Sequence, residues 1–176
     1  MRSENPGNYF YGLQDRLGID DLLAALAKLR KKEKSLFRGN YTIIPGVREM
    51  LVELHLHFPL AIVSARGEIK TLEFLDTFDL TPLFKAIATG QTTRHTKPYP
   101  DPILWAAKQM RVEPAACLMV GDTTVDIRAG AAAGAQTAGV LCGFGEENEL
   151  RNAGANIILK EPTPLTEILL AKPLTN

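Results

Sequence analysis

The stretch "CLMVGDTTVDIRAGAAAGA", residues 117–135, indicates the fold class most directly. Its apolar run over 117–121 predicts a strand buried on both faces, and the Ala/Gly-rich segment over 124–135 predicts a helix. Asp122 follows the strand directly, and Asp126 lies four residues later, in the first turn of the helix. Two carboxylates at the end of a buried strand are costly to desolvate unless a positive group lies beside them. The stretch therefore predicts a strand–turn–helix unit with a charged site at the turn.

Short apolar runs alternate with helical patterns on both sides of this unit. The runs that predict further strands cover 60–64, 85–89, 136–141 and 156–159, and the helical patterns between and around them cover 45–58, 68–78, 101–110 and 146–154, with a last helix from Pro164. Strands that alternate with helices predict an α/β fold with a doubly wound parallel sheet. Ligands of such sheets bind outside the carboxyl ends of the strands.

The segment before this body has a different pattern. Residues 1–19 are polar and aromatic and predict irregular structure, whereas "DDLLAALAKLRKKEK" predicts a helix that Asp20 or Asp21 caps. We therefore divide the chain into a helical leader, residues 1–40, and an α/β body, residues 41–176.

The composition excludes several classes of function. Of the 176 residues, 45% are apolar and 23% are charged, which is ordinary for a globular protein. The net charge of zero argues against a nucleic-acid partner. No apolar run approaches the ~18 residues of a membrane-spanning helix, and the N-terminus has no apolar leader, so we expect a cytoplasmic protein without a membrane partner. Cys117 and Cys142 form no CxxC pair, so no zinc or redox motif is visible. The sequence does not predict an oligomeric state.

Three polar features fall where the predicted strands end. Ser64 ends the strand over 60–64, Lys97 lies in a loop stiffened by three prolines, and Asp122 and Asp126 follow the strand over 117–121. Taken singly, each has a plain structural explanation: a turn-forming serine, a solvated lysine and two helix-capping aspartates. Together they suit phosphate, because a hydroxyl and neighbouring N–H groups can hold its oxygens and an ammonium can neutralise it. The carboxylate pair suits Mg²⁺.

Three motifs carry a resemblance to a known family. "AIVSAR" (61–66), "KPYPDP" (97–102) and "MVGDTTVDI" (119–127) resemble, in order and spacing, the second, third and fourth motifs of the haloacid dehalogenase superfamily. "IPGVREMLVEL" (44–54) and "AGVLCGFGEENELRNAGANIIL" (138–159) resemble its phosphoglycolate-phosphatase-like branch. The resemblance covers residues ~40–170 and implies that residues 1–40 are the remnant of a small helical cap on a Rossmann-like core.

The resemblance also implies a role for each site residue. Ser64, with Ala65 and Arg66, would hold the substrate phosphate, and Lys97 would neutralise the phosphate and the nucleophile. Asp122 would bind Mg²⁺. Asp126 would be catalytic by orienting Lys97, or would bind the metal or a metal-bound water. The activity implied is Mg²⁺-dependent hydrolysis of a small phosphorylated metabolite, with phosphoglycolate as the first candidate, through an aspartyl-phosphate.

The first motif of that family, DxDxT/V, does not occur in the 176 residues. Its leading aspartate is the nucleophile, and its strand lies between the strands that correspond here to 60–64 and 117–121. We therefore expect a core without its first strand, two exposed inner strand edges, and negligible turnover by this chain.

Three explanations of the missing motif remain open. The chain is a fragment of a longer enzyme, it is a relic or a non-catalytic phosphate- and Mg²⁺-binding or regulatory module, or another polypeptide supplies the strand. A receiver domain of the response-regulator type fits less well, because it needs an acidic pair after its first strand.

Overall fold

The computed structural model describes residues 41–171, which form an α/β body of six helices and five strands. The helices are α1 (Val47–His55), α2 (Glu68–Thr77), α3 (Asp101–Met110), α4 (Thr124–Ala132), α5 (Glu147–Asn152) and α6 (Leu165–Leu170). The strands are β1 (Leu60–Val63), β2 (Phe84–Ala88), β3 (Leu118–Gly121), β4 (Gln136–Val140) and β5 (Ile157–Leu159), and short 3₁₀ turns precede β2 and β3. The predicted leader helix and cap remnant lie outside the described residues.

The predicted alternation of strands and helices is confirmed. Residues directly before or within the first turn of three helices explain where those helices begin. Gly46 adopts a φ of +80° directly before α1, a conformation that glycine takes without strain. Pro164 directly precedes α6, and proline is favoured at the start of a helix because its φ is already helical and it has no N–H to leave unpaired. Thr123 and Asp126 form a reciprocal capping box that begins α4. These three helices therefore begin where their own sequence favours a boundary.

The strands form two parallel sheets instead of one continuous sheet. β1 pairs with β2, and β3 pairs with β4, which pairs in turn with β5. Within residues 41–171 no strand lies between β1 and β3, and these two strands do not pair with each other. Whether these two inner edges are open, as the missing first motif leads us to expect, stays a prediction, because residues 1–40 lie outside the described part of the chain.

Burial of the strands reflects this division. Every residue of β1 and of β3 is only partly buried, whereas the last four residues of β4 are buried. A strand paired on both sides and covered on both faces loses nearly all its exposed surface, as β4 does. The partial exposure of β1 and β3 is therefore the mark of an unpaired edge on each.

Two apolar clusters hold the sheets together across this division. Alternate residues of a strand point to opposite faces, and both clusters take residues from β1 and from β3. On one face the cluster consists of Ile103, Ala129, Ala133 and Ala135 with Val63, Cys117 and Met119. On the other face it consists of Met50, Leu54 and Leu165, packed by partly buried residues that include Leu60, Leu118, Val120 and Leu159. Helices α3 and α4 on one face, and α1 and α6 on the other, therefore cover both sheets.

The small residues of α4 have a packing reason. A Cβ on Gly130 would lie 2.7 Å from Cβ of Met119 in β3 and 2.8 Å from Cγ2 of Thr137 in β4. Helix α4 therefore lies closer to the strands than an alanine would allow, which brings its N-terminus to the carboxyl end of β3. Within the described part of the chain, no helix has the length and apolar character that crossing a bilayer requires.

Candidate active site

Lys97 and Asp126 form a buried ion pair at the carboxyl ends of β1 and β3. Nζ of Lys97 lies 2.6 Å from Oδ1 of Asp126, and the two side chains are only 11% and 8% exposed. The same ammonium donates a hydrogen bond of 2.8 Å to the carbonyl of Val63, the last residue of β1. The Lys97 side chain therefore ties the end of β1, in the first sheet, to α4, the helix that follows β3 of the second sheet.

Asp126 has both carboxylate oxygens engaged. Oδ1 faces Lys97, and Oδ2 accepts hydrogen bonds from the backbone N–H of Thr123 at 3.1 Å and from its hydroxyl at 2.6 Å. A carboxylate held in this way has a fixed orientation and contributes a fixed negative charge. Of the roles implied for Asp126, orientation of Lys97 is the one that its contacts favour over direct metal binding.

Asp122 is held by the loop that follows β4. Its carbonyl accepts a hydrogen bond of 2.8 Å from the N–H of Gly145, and Oδ2 of its carboxylate accepts one of 3.1 Å from the N–H of Phe144. The other carboxylate oxygen, Oδ1, has no hydrogen-bond partner among residues 41–171. Asp122 is partly exposed, so this oxygen is available to a cation.

Ser64 begins a tight loop after β1. Its N–H donates to the carbonyl of Ala88 in β2 at 2.8 Å, and its Oγ accepts from the N–H of Arg66 at 3.1 Å. The loop also packs against Gly90, where a Cβ would lie 2.7 Å from the carbonyl oxygen of Ala65. Ala65 and Arg66 are exposed, whereas Ser64 is partly buried. The serine hydroxyl proton therefore remains free to donate to a ligand.

The structure brings Lys97 and Asp126 into direct contact and sets Asp122 four residues before Asp126, at the start of the same helix. Ser64 directly follows Val63, whose carbonyl Lys97 contacts, so Ser64 lies at the same edge as the lysine and the two aspartates. The guanidinium of Arg66 makes no ion pair within the described part of the chain.

Sequence reasoning missed the backbone groups of the site. The carbonyl of Val63 and the N–H of Phe144 have no residue-type signature, so no motif could have identified them. The contact of Thr123 with Asp126 did have a signal, because a threonine three residues before an acidic residue is the pattern of a capping box.

A metal would rest mainly on Asp122. Within residues 41–171, no group of three or more His, Cys, Asp or Glu side chains is arranged to hold an ion. One free carboxylate oxygen is nevertheless the kind of ligand that Mg²⁺ uses when substrate oxygens and water complete its shell. The donor set therefore fits a Mg²⁺ ion that other oxygens must help to hold.

Cys142, in the same loop as Phe144, is no substitute for the missing nucleophile. Burial raises the pKa of the Cys142 thiol above its usual value, and the negative charge of Asp122 raises it further. The thiol therefore stays protonated at neutral pH, and it is the thiolate that attacks.

Comparison with known proteins agrees with this arrangement. A family model described as haloacid dehalogenase-like hydrolase matches residues 8–140. The chain belongs to the haloacid dehalogenase-like hydrolase family. This finding confirms the family resemblance inferred from the three motifs, and with it the α/β fold of that family.

Named relatives are phosphatases. The chain is 35% identical over 112 residues to a phosphoglycolate phosphatase of Aquifex aeolicus, covering 64% of this chain and 51% of that protein. It is 28% identical over 150 residues to the pyrophosphatase PpaX of Bacillus pumilus, covering 85% of this chain and 68% of that protein. The chain thus spans about half the length of the phosphoglycolate phosphatases that it matches.

A solved structure gives the same fold. A haloacid dehalogenase family hydrolase from Deinococcus radiodurans, crystallised with bound phosphate and sodium, is 30% identical to this chain. The superposition has a TM-score of 0.67 and covers 73% of this chain and 59% of that one.

Proposed function

We propose that this chain is the phosphate- and metal-binding core of a Mg²⁺-dependent phosphomonoester hydrolase that acts on a small phosphorylated metabolite. The observation that carries the proposal is the buried ammonium of Lys97. It is held by Asp126 and by the carbonyl of Val63 at the sheet edge where Ser64 and Asp122 also lie. A cation fixed at such an edge stabilises an anionic ligand without having to reorganise when the ligand arrives.

Each residue has a role that its contacts support. Ser64 donates its hydroxyl to a phosphate oxygen, and the exposed residues Ala65 and Arg66 lie beside it. Lys97 neutralises the phosphate and the incoming carboxylate. Asp122 supplies Oδ1 to Mg²⁺, which neutralises charge on the phosphoryl group when bound. Asp126 keeps Lys97 in place.

The step that these residues cannot perform is nucleophilic attack. The family's reaction needs an aspartate nucleophile, and the 176 residues contain no DxD pair to supply it. We expect this chain by itself to bind Mg²⁺ and phosphate with negligible turnover. A carboxylate from elsewhere, in the same protein or in another, would be required for hydrolysis.

Phosphoglycolate is the first candidate substrate because two of the similar proteins carry that activity in their names. Inorganic pyrophosphate is the second substrate to compare in the same assay, since another relative is named as a pyrophosphatase. The two free cysteines, one exposed and one partly buried, suit a cytoplasmic location.

A non-catalytic binding or regulatory module is the second candidate function. The observation in its favour is that the 176 residues contain no DxD pair to supply the nucleophile. A module of this kind would bind phosphate or Mg²⁺ and be stabilised by it, and it would never release phosphate.

The test measures binding and turnover on the same purified chain. We expect Mg²⁺ and inorganic phosphate to raise the melting temperature of the wild-type chain, and Asp122→Ala to abolish the Mg²⁺ effect. Phosphate release from phosphoglycolate is expected to stay at background. Mg²⁺-dependent release that Asp122→Ala abolishes would refute the statement that the chain lacks turnover. No response of the wild-type chain to either ligand would refute the binding core itself.

The intact mass of the protein purified from its source cells separates the two candidate functions. A mass several kilodaltons above the 19.3 kDa of this chain favours a complete enzyme with its own nucleophile. A mass of 19.3 kDa favours the binding module, unless a second polypeptide copurifies and restores phosphate release.

A further inference from the structure

Residues 142–145, which we call the clamp loop, lie in direct contact with Asp122. The loop follows β4, the neighbour of β3 in the sheet, so it approaches Asp122 from the side. Two consecutive N–H groups of the loop, those of Phe144 and Gly145, donate to one residue: the first to the carboxylate of Asp122 and the second to its carbonyl.

Glycine is required in the clamp loop for close approach. A Cβ on Gly143 would overlap Oδ2 and Cγ of Asp122, and a Cβ on Gly145 would overlap the carbonyl oxygen of Asp122. Neither glycine has a positive φ, so neither is needed for an unusual backbone conformation. Both positions need a residue without a side chain, because only then can the backbone of the loop lie against Asp122.

The clamp loop is supported from behind by the core. A Cβ on Gly145 would also lie 3.0 Å from Cδ2 of Leu150, a side chain with 0% exposure at the centre of α5. The loop therefore lies between Asp122 and a fixed apolar side chain. The side chain of Phe144, in contrast, is 93% exposed and anchors nothing. The loop acts on Asp122 through its backbone alone.

We infer that the clamp loop positions the carboxylate of Asp122, holding Oδ2 by the N–H of Phe144 and leaving Oδ1 as a single, directed ligand for a cation. A hydrogen bond to one carboxylate oxygen disfavours chelation of a cation through both oxygens, and a single directed oxygen suits the strict octahedral preference of Mg²⁺. Groups that orient a ligating carboxylate commonly change metal affinity 10- to 100-fold when removed. The metal part of this inference rests on the proposed function.

The test uses Gly143→Ala, with Gly134→Ala as the matched control. Gly134 has a φ of +78° and nothing within 4 Å of the position of a Cβ, so its substitution strains the backbone without contacting Asp122. Calorimetric titration of the purified chain with Mg²⁺ is expected to give an affinity about 10-fold or more weaker for Gly143→Ala. Gly134→Ala is expected to bind like the wild type. Equal affinity of Gly143→Ala and wild type would overturn the inference.

A second measurement does not involve the metal. In Asp122→Ala the N–H of Phe144 loses its acceptor, whereas the N–H of Gly145 keeps the backbone carbonyl. Amide hydrogen exchange by NMR is therefore expected to accelerate about 10-fold or more at Phe144 and to change little at Gly145. Unchanged exchange at Phe144 would overturn the inference even if Gly143→Ala does not fold. If this exchange pattern is found and the wild-type chain binds no Mg²⁺, the metal proposal fails while the positioning of Asp122 stands.

Discussion

The ion pair between Lys97 and Asp126 gives the sharpest prediction, because it joins the ends of two sheets that share no strand pairing. Three variants test it: Lys97→Met, Asp126→Asn and the double variant. Methionine matches the lysine side chain as far as Cε and lacks only the ammonium group, and asparagine keeps the shape of the aspartate, so each variant removes charge with little change in volume. Lys108→Met, on an exposed position of α3, is the control for loss of a lysine.

The expected magnitude follows from the burial of the pair. At 2.6 Å and with side chains 11% and 8% exposed, the attraction is about 6 kcal/mol for an effective dielectric constant of ~20. Much of this offsets the desolvation of the two charges, so removing one partner is expected to lower the free energy of unfolding by about 3–5 kcal/mol. For a chain of this size that is a fall in Tm of roughly 6–20 °C.

The double variant distinguishes electrostatics from packing. Removing both charges leaves no uncompensated ion, so its loss of stability is expected to be smaller than the sum of the single losses by about 3 kcal/mol. Urea unfolding followed by circular dichroism measures all four free energies, and Lys108→Met is expected to stay within about 0.5 kcal/mol of wild type. Single losses that add to the double loss within about 0.5 kcal/mol would refute the claim that the pair is energetically coupled.

Three further predictions concern the packing and titration of single residues. Gly130→Ala gains about 1 kcal/mol of helix propensity and loses about 1–3 kcal/mol to overpacking against Thr137. Urea unfolding should therefore show a net loss of stability, and a more stable variant would contradict the close packing. Thr137→Val leaves the carbonyl of Gly154 without its 2.7 Å hydrogen bond at a site 1% exposed, so about 1–3 kcal/mol should be lost, and equal stability would contradict this. The hydrogen bond from His95 lowers the pKa of Asp101 below its usual 3.8; the associated stability is present above pH 3.8 and disappears as the pH falls through the lowered pKa. An NMR titration of the carboxyl carbon should show His95→Ala returning this pKa towards 3.8, and an unchanged value would exclude the histidine as the cause.

The sequence predicted the elements of the fold because two different periods occur along the chain. Continuous apolar runs, such as 117–121, are typical of strands covered on both faces, and helical patterns lie between them. Most predicted boundaries lie within a few residues of the observed ones. The division into two sheets could not be predicted from periodicity, because local periodicity does not say which strands are neighbours. The missing first motif was the additional signal.

The sequence predicted the residue types of the site and not its connections. Lys97 and Asp126 were identified as members of one site, and their direct contact was one of two arrangements left open. The acceptor role of the Val63 carbonyl could not be predicted, since every residue carries a carbonyl. The backbone N–H of Phe144 is hidden for the same reason, although the glycines around it indicate a close approach. Side-chain chemistry is visible in a sequence, while the backbone groups that orient it are visible only in the fold.

The contacts of the four site residues also separate ligands from supports. Two of the three N–H donors of the Lys97 ammonium are taken by Asp126 and by a strand carbonyl, which leaves one for a ligand. Ser64 accepts a backbone N–H and keeps its own proton, and Asp122 gives one oxygen to the clamp loop and keeps the other. Each of these three side chains is therefore fixed on one side and open on the other. Both oxygens of Asp126 are engaged, one by Lys97 and the other by Thr123, so substitution there should affect the site only through these two residues, and the Mg²⁺ affinity of Asp126→Asn should stay close to wild type. A loss of Mg²⁺ binding as complete as that expected for Asp122→Ala would instead make Asp126 a metal ligand.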